Sequence, residues 1–196
     1  MVDLMFDLAG GTLPSAYPFA LWAALLRHVP QLEEEKSVGI LPLRGTINSE
    51  GLLLSRRAKL VVRLPATLAA NASSRLTDQQ LDIDGNIIRL GAAKTRTIQP
   101  YPTIHAQLVT GGSDEVLFTD DIKRQLGELD ISGKLICGKR LGINGCPKSI
   151  LGYSLVLHDL KAEASLQLQY LGLGDERHFG CGIFVPYKVI SGLSED

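Results

Sequence analysis

Residues Gly172 to Val185 read GLGDERHFGCGIFV. Gly172, Gly174, Gly180 and Gly182 surround a polar insert that carries Arg177 and His178, and the segment runs straight into an apolar strand. Glycine tolerates positive φ and lets backbone amides approach an anion closely, so such a loop can cradle a phosphate. A Rossmann or P-loop unit needs its glycines after a strand and before a helix. Here they follow a helix, marked by Ala164, Leu168 and Leu171, and precede the strand GCGIFVPYKVI. Neither nucleotide-binding reading holds.

Working outward, the second half reads as an extended segment at Arg96 to Thr110, a helical stripe of Phe118, Ile122, Leu126 and Leu129, then two strands, GKLICGKRLGIN and SILGYSLVLHDL. The helix, glycine loop and final strand complete it. The first half shows the same order. VDLMFDL (2–8) suits a strand, and Gly10, Gly11 and Pro14 break it, leaving Ser15 to cap a helix over Ala16 to Val29. Trp22, Leu25, Leu26 and Val29 fall at i, i+3, i+4 and i+7 and predict its buried stripe. VGILPLRG follows as a strand interrupted at Pro42, KLVVRL as another, PATLAANASSR as a helix, and LDIDGNIIRLG as a hairpin-like strand turning at Asp84, Gly85 and Asn86. The expectation is an α+β chain of two ferredoxin-like units, βαββαβ twice, with a C-terminal glycine-rich loop. The boundary is expected between Gly91 and Arg96, giving units at 1–93 and 94–196.

Composition excludes several classes. With 45% hydrophobic and 21% charged residues and a formal net charge of −1, the chain reads as an ordinary globular protein, not a non-specific polyanion binder. Cys137, Cys146 and Cys181 suit neither a disulfide framework nor a four-ligand zinc site, which points to a reducing cytosol. Asp3 and Asp7 interrupt any secretory layout in the first residues, and the apolar stretch AYPFALWAALL is too short to span a bilayer. A cytoplasmic protein without a membrane partner is expected.

The glycine loop before a final strand, in a chain of tandem ferredoxin-like units, resembles that of the repeat-associated RNA-binding superfamily of CRISPR proteins. GILPLRG, LLLSRRAKLVVRLP, LICGKR, LGYSLVLHDL and FVPYK extend the likeness over nearly the whole chain. Within the superfamily it is most similar to the compact, Myxococcus-type (type I) endoribonucleases that process CRISPR precursor RNA. The resemblance implies a repeat RNA hairpin as substrate and metal-independent cleavage with no cofactor. It also implies retention on the product and other subunits of a type I effector complex as partners, in a defence system or in a transposon that has captured one. A non-catalytic RNA-binding subunit of such a complex is the alternative. An RNA ligase or phosphoesterase of a related two-lobed fold would need paired His-x-Thr motifs, and the chain has none.

Metal-independent RNA cleavage uses the adjacent 2′-hydroxyl as nucleophile and leaves a 2′,3′-cyclic phosphate. It calls for a base, an acid and cations around the phosphate, and imidazole is suited to the proton transfers. The resemblance gives the catalytic role to a histidine at the end of the first helix, which is His28; the alternative is a histidine favoured there by the helix dipole. His28 is read as lying off the stripe, roughly a third of a turn from Trp22 at about 100° per residue. Arg56, Arg57 and Lys59 are candidate phosphate partners, with Arg57 and Lys59 on one strand face. Lys139, Arg140 and Lys148 flank the turn at 142–147 and form a candidate patch for the phosphates of an RNA stem. Gly172, Gly174, Gly180, Gly182, Arg177 and His178 are read as RNA-binding through the loop, and Lys188 beside Tyr187 as a further contact. His105 is either a sheet-face RNA contact or structural, and His158–Asp159 either an oriented pair or a turn.

Overall fold

The computed structural model describes residues 1–145 and 148–187. The first half contains β1 (Val2–Ala9), β2 (Thr12–Leu13), α1 (Tyr17–His28), β3 (Gly39–Ile40), β4 (Gly45–Asn48), β5 (Gly51–Leu54), β6 (Lys59–Leu64), α2 (Ala66–Leu76), β7 (Gln80–Ile83) and β8 (Asn86–Thr97). The second contains β9 (Ile104–Thr110), α3 (Glu115–Glu128), β10 (Lys134–Ile143), β11 (Ile150–His158), α4 (Ala162–Leu171) and β12 (Val185–Pro186). The first sheet runs β3-β6-β1-β8-β7 and the second β10-β11-β9-β12. With β7 set aside, each has its second, third, first and fourth strands side by side, the ferredoxin-like order expected from the sequence. The chain is a tandem ferredoxin-like protein.

Alternation of burial builds each core. Leu4 and Phe6 of β1 and Leu60, Val62 and Leu64 of β6 turn inward against Leu21 and Leu25 of α1. In the second half Ile104, Ala106, Leu155 and Leu157 meet Phe118, Ile122 and Leu168. Phe118, Ile122 and Leu126 are the buried residues of α3, as the spacing predicts, and Asp114 caps that helix by accepting from the amides of Val116 and Leu117. A smaller cluster of Leu108, Ile150 and Cys181, packed with Phe19 and Phe179, joins the two halves.

Several boundaries differ from the sequence expectation. β8 does not stop near Gly91: it keeps pairing with β1 as far as Val2↔Thr97. The passage between sheets therefore falls after Thr97, which corrects the expected boundary at 93. The strand expected at 38–45 is two residues long, Gly39–Ile40, because the chain turns away at Pro42. β5 leaves the main sheet and forms a small one with β2 and β4. Ser15 does not cap α1; Ala16 occupies that position without a side-chain cap. Among the described residues the final strand pairs at Val185 and Pro186.

Candidate active site and nucleic-acid interface

On α1 the buried residues include Leu21, Ala24 and Leu25, while Trp22 and Leu26 are half-buried. Leu21, Ala24, Leu25 and His28 are thus i, i+3, i+4 and i+7. His28 continues the buried stripe, which corrects its expected off-stripe position, and the ring is half-buried where the stripe runs out. The preceding residue anchors this end: Arg27 Nη2 donates to the Asp82 carbonyl on β7 at 3.1 Å. Among the described residues His28 makes no hydrogen bond within the protein, so both ring nitrogens are available to a substrate.

The glycine loop is built differently. All four of its glycines have positive φ, from 64° at Gly182 to 90° at Gly180. A Cβ on Gly182 would lie 2.2 Å from the Leu173 carbonyl oxygen, so the loop closes on its own backbone there. The amides of its four glycines are occupied. Gly172 N donates to Leu168 O, Gly180 N to Arg177 O, and Gly182 N to Leu108 O at 2.7 Å. Gly174 N donates to Gln125 Oε1 and Asp175 N to Thr110 Oγ1. No open nest of these donors faces solvent to receive a phosphate, which corrects the RNA-binding reading of Gly172, Gly174, Gly180 and Gly182.

Arg177 is buried, and its guanidinium donates to the carbonyls of Leu171, Tyr170 and Ser37. Burial, helped by the Arg63 charge, pushes its pKa down to about 10, still leaving it a cation at neutral pH. It ties the loop to the end of α4 and to the first half, and it is buried where an RNA contact was expected to be exposed. His178 stacks on Trp22 with ring centroids 4.3 Å apart and planes 13° apart. Its Nε2 is buried without a partner. Burial pushes its pKa down, a nearby Arg177 charge adds to this, and Glu35 and Glu176 partly offset it. Both loop side chains hold the loop to the first half, in place of the RNA contacts expected of them.

The remaining candidates divide by exposure. Arg56 and Arg57 are exposed in the turn between β5 and β6, so Arg57 does not share a strand face with Lys59. Lys59 opens β6 and pairs with Asp7 at 2.5 Å. No hydrogen bond or ion pair joins His28 to these three among the described residues. Lys139 and Arg140 are exposed on β10 at an irregularity in its pairing with β11. Lys148 is drawn away from them, pairing with Glu176 of the glycine loop at 2.7 Å, its ammonium 5.2 Å from the Phe179 ring centre. Lys188 lies outside the described residues, as does Cys146. His158 Nδ1 is 3.1 Å from Thr103 Oγ1, and Asp159 turns to Lys134 at 2.9 Å, so the two form no catalytic pair. No group of three or more His, Cys, Asp or Glu side chains able to hold a metal ion occurs among the described residues.

One cluster escaped the sequence reading. Arg63, fully buried on β6, donates from Nε to Asp3 Oδ1 at 2.7 Å, and from Nη1 to the carbonyls of Gln169 and Phe184 in the second half. Arg96 Nη2 also reaches Asp3, at 2.7 Å. Burial alone would raise the Asp3 pKa, but the two guanidiniums outweigh it and hold the carboxyl below its usual range. A cleft of about 70 Å³ opens beside them, lined in part by Arg96, Tyr101, Gln169 and Pro186. The sequence signal was a second charge, Asp3 or Arg63, within each of two short apolar-rich strands, opposite in sign across the pair.

Comparison with known proteins places this architecture. The family described as Cas6 (Cas6 Crispr) matches residues 2–189. The chain is 36% identical over 187 residues to a CRISPR-associated endonuclease Cas6 of Myxococcus xanthus, covering 94% of this chain and 81% of that protein. Among solved structures, a Cas6-related protein of Pyrococcus furiosus superposes with a TM-score of 0.70 at 14% identity, over 98% of this chain and 99% of that one. A Thermus thermophilus Cse3, solved with an RNA representing a pre-cleavage complex, superposes with a TM-score of 0.56 at 13% identity, over 94% and 98%. These distant structures share the fold; the family match and the Myxococcus relative carry the assignment. This chain belongs to the Cas6 family of CRISPR proteins.

Proposed function

We propose that this protein is a metal-independent endoribonuclease that binds the CRISPR repeat hairpin, cuts CRISPR precursor RNA, and stays with its product in a type I effector complex. The 2′-oxygen attacks the neighbouring phosphorus, the bond to the 5′-oxygen breaks, and a 2′,3′-cyclic phosphate remains. His28 carries one of the two proton transfers, either from the 2′-hydroxyl or to the departing 5′-oxygen. Exposed Arg56 and Arg57, with Lys59 once it exchanges Asp7 for a phosphate, are the cations assigned to the crowded phosphorus.

The observation that carries this reading is the state of His28. It stands at an anchored helix end with no hydrogen bond inside the protein among the described residues, whereas His178 is stacked on Trp22 and His158 is beside Thr103. The likeness to an endonuclease over most of the chain supports it. Incubation with labelled repeat RNA in EDTA tests it. Cleavage at full rate, giving a cyclic phosphate end, is expected. Loss of cleavage that a divalent ion restores would overturn the mechanism, and tight binding without cleavage under either condition would return the non-catalytic subunit.

A further inference from the structure

The second sheet covers one face with α3 and α4; the opposite face carries a row of side chains across all four strands. Ile136 of β10 is paired with Val156 of β11, Val156 with His105 of β9, and His105 with Val185 of β12. Ile104 and Ala106, on either side of His105, belong to the core, so His105 and its row point the other way. Ile136 is 52% exposed. Just beyond β12, Tyr187 is held by its amide donating to Thr103 O at 3.1 Å. Its ring meets His105 edge-on, with centroids 5.3 Å apart and planes at 76°. The row is thus a shallow apolar platform ending in two aromatic rings.

Two features make it more than an exposed sheet face. The His105 ring is only half-buried, so part of it faces outward, while its Nδ1 lies buried without a hydrogen-bond partner. Arg44, exposed in the first half between β3 and β4, lies near enough for its charge to act on His105. Arg44 forms no ion pair among the described residues. Burial, with that charge, lowers the His105 pKa against a partial offset from the Val185 backbone, so the ring stays neutral near pH 7 and presents an aromatic face. Apolar rings for stacking, a neutral half-buried imidazole and an unpaired guanidinium complement a nucleotide's base and phosphate. Four-stranded sheets of this topology serve as base-stacking surfaces in other RNA-binding modules.

We propose that the row Ile136–Val156–His105–Val185, with Tyr187 and Arg44, binds an unpaired nucleotide flanking the RNA hairpin, its base on the rings and its phosphate on Arg44. This rests on the RNA-processing reading and adds a contact that the stem does not supply.

The test compares the affinity of the purified protein for a repeat hairpin alone and for the same hairpin with a short unpaired flank on either side. Wild-type protein should bind one flanked RNA at least about 5-fold more tightly, the lower end of what stacking one base contributes. Tyr187→Leu, which keeps an apolar side chain, and Arg44→Gln, on the surface, should each reduce that advantage while leaving hairpin-only affinity unchanged. Equal binding of flanked and unflanked RNA by the wild type would overturn the proposal. So would a flank advantage that survives both substitutions, which would leave the platform to a protein partner. Failure of the wild type to bind any of the RNAs would remove the RNA reading itself, and this platform with it.

Discussion

The end of α1 and the loop between α4 and β12 both carry a histidine beside an arginine, and the two pairs are used in opposite ways. Arg27 fixes the last turn of its helix to β7, while His28 makes no hydrogen bond within the protein among the described residues. Arg177 is buried on three carbonyls, and His178 is stacked on Trp22. On the proposed function the first pair prepares a side chain for chemistry; the second holds two halves of the molecule in register. Identical residue types therefore say little until their hydrogen bonds are counted.

The sharpest way to break this contrast is kinetic. His28→Ala should slow single-turnover cleavage of repeat RNA by about 10²-fold or more, the usual scale of an acid–base group, with binding little changed. A 2′-deoxy nucleotide at the cut site should abolish cleavage by the wild type as well. His178→Ala should still cut; if it, rather than His28→Ala, loses the chemical step, the two sites have been interchanged.

The second effect belongs to stability. Arg177→Met keeps the bulk of the side chain but removes the donor from the part-buried hydrogen bonds to the Tyr170, Leu171 and Ser37 carbonyls, each worth about 0.5–1.5 kcal/mol. Urea unfolding should show a lower midpoint, while the folded fraction cuts RNA at the wild-type rate. An unchanged midpoint would mean that the loop is not held as described.

A third, smaller effect is on acid sensitivity. Because the folded-state pKa of His178 lies below the ordinary 6.5, the unfolded chain takes up this proton first as pH falls. Its neutral form therefore favours folding fully above about pH 6.5, and that contribution is lost as pH drops from there toward the depressed pKa. His178→Phe keeps a ring against Trp22 and should flatten this part of the stability–pH curve; His105, shifted the same way, remains in both proteins. Parallel curves would show that His178 does not titrate differently in the folded protein.

The smallest effect concerns exposed cations. Replacing Lys139 and Arg140 together by Ala should reduce the salt dependence of hairpin binding by nearly 2 in the log–log slope if each meets one phosphate of the stem, at about 0.9 per contact. Lys148→Ala should leave that slope alone, since its ammonium is committed to Glu176. The reverse pattern would place the stem on the glycine loop.

Periodicity made the scaffold legible. The stripe Phe118–Ile122–Leu126 marked α3 correctly, and the order of elements was enough for the tandem fold. Pairing beyond the apolar run was not legible: residues 94–97 of β8 are polar and exposed, yet continue the ladder with β1 through backbone groups. The final strand was overextended because Gly180 and Gly182 sit at positive φ, which the apolar letters between them hide. At the site, His28 was placed through family resemblance. The roles of Arg63 and Arg177 were invisible because most of their acceptors are main-chain carbonyls, which leave no mark in a sequence.

Those two arginines travel in opposite directions. Arg63 leaves the first half to reach the carbonyls of Gln169 and Phe184, and Arg177 leaves the second half to reach that of Ser37. Each half thus holds a buried cation whose set of acceptors is completed only by carbonyls of the other half. Although the cores are separate, we expect the halves to unfold as one cooperative unit, with a single urea transition by fluorescence and circular dichroism alike. Two resolved transitions would count against this exchange. The internal repetition of the fold would then describe how the chain is arranged without making either repeat a module: a half transplanted alone, or paired with an unrelated ferredoxin-like partner, would carry a stranded guanidinium into its own interface.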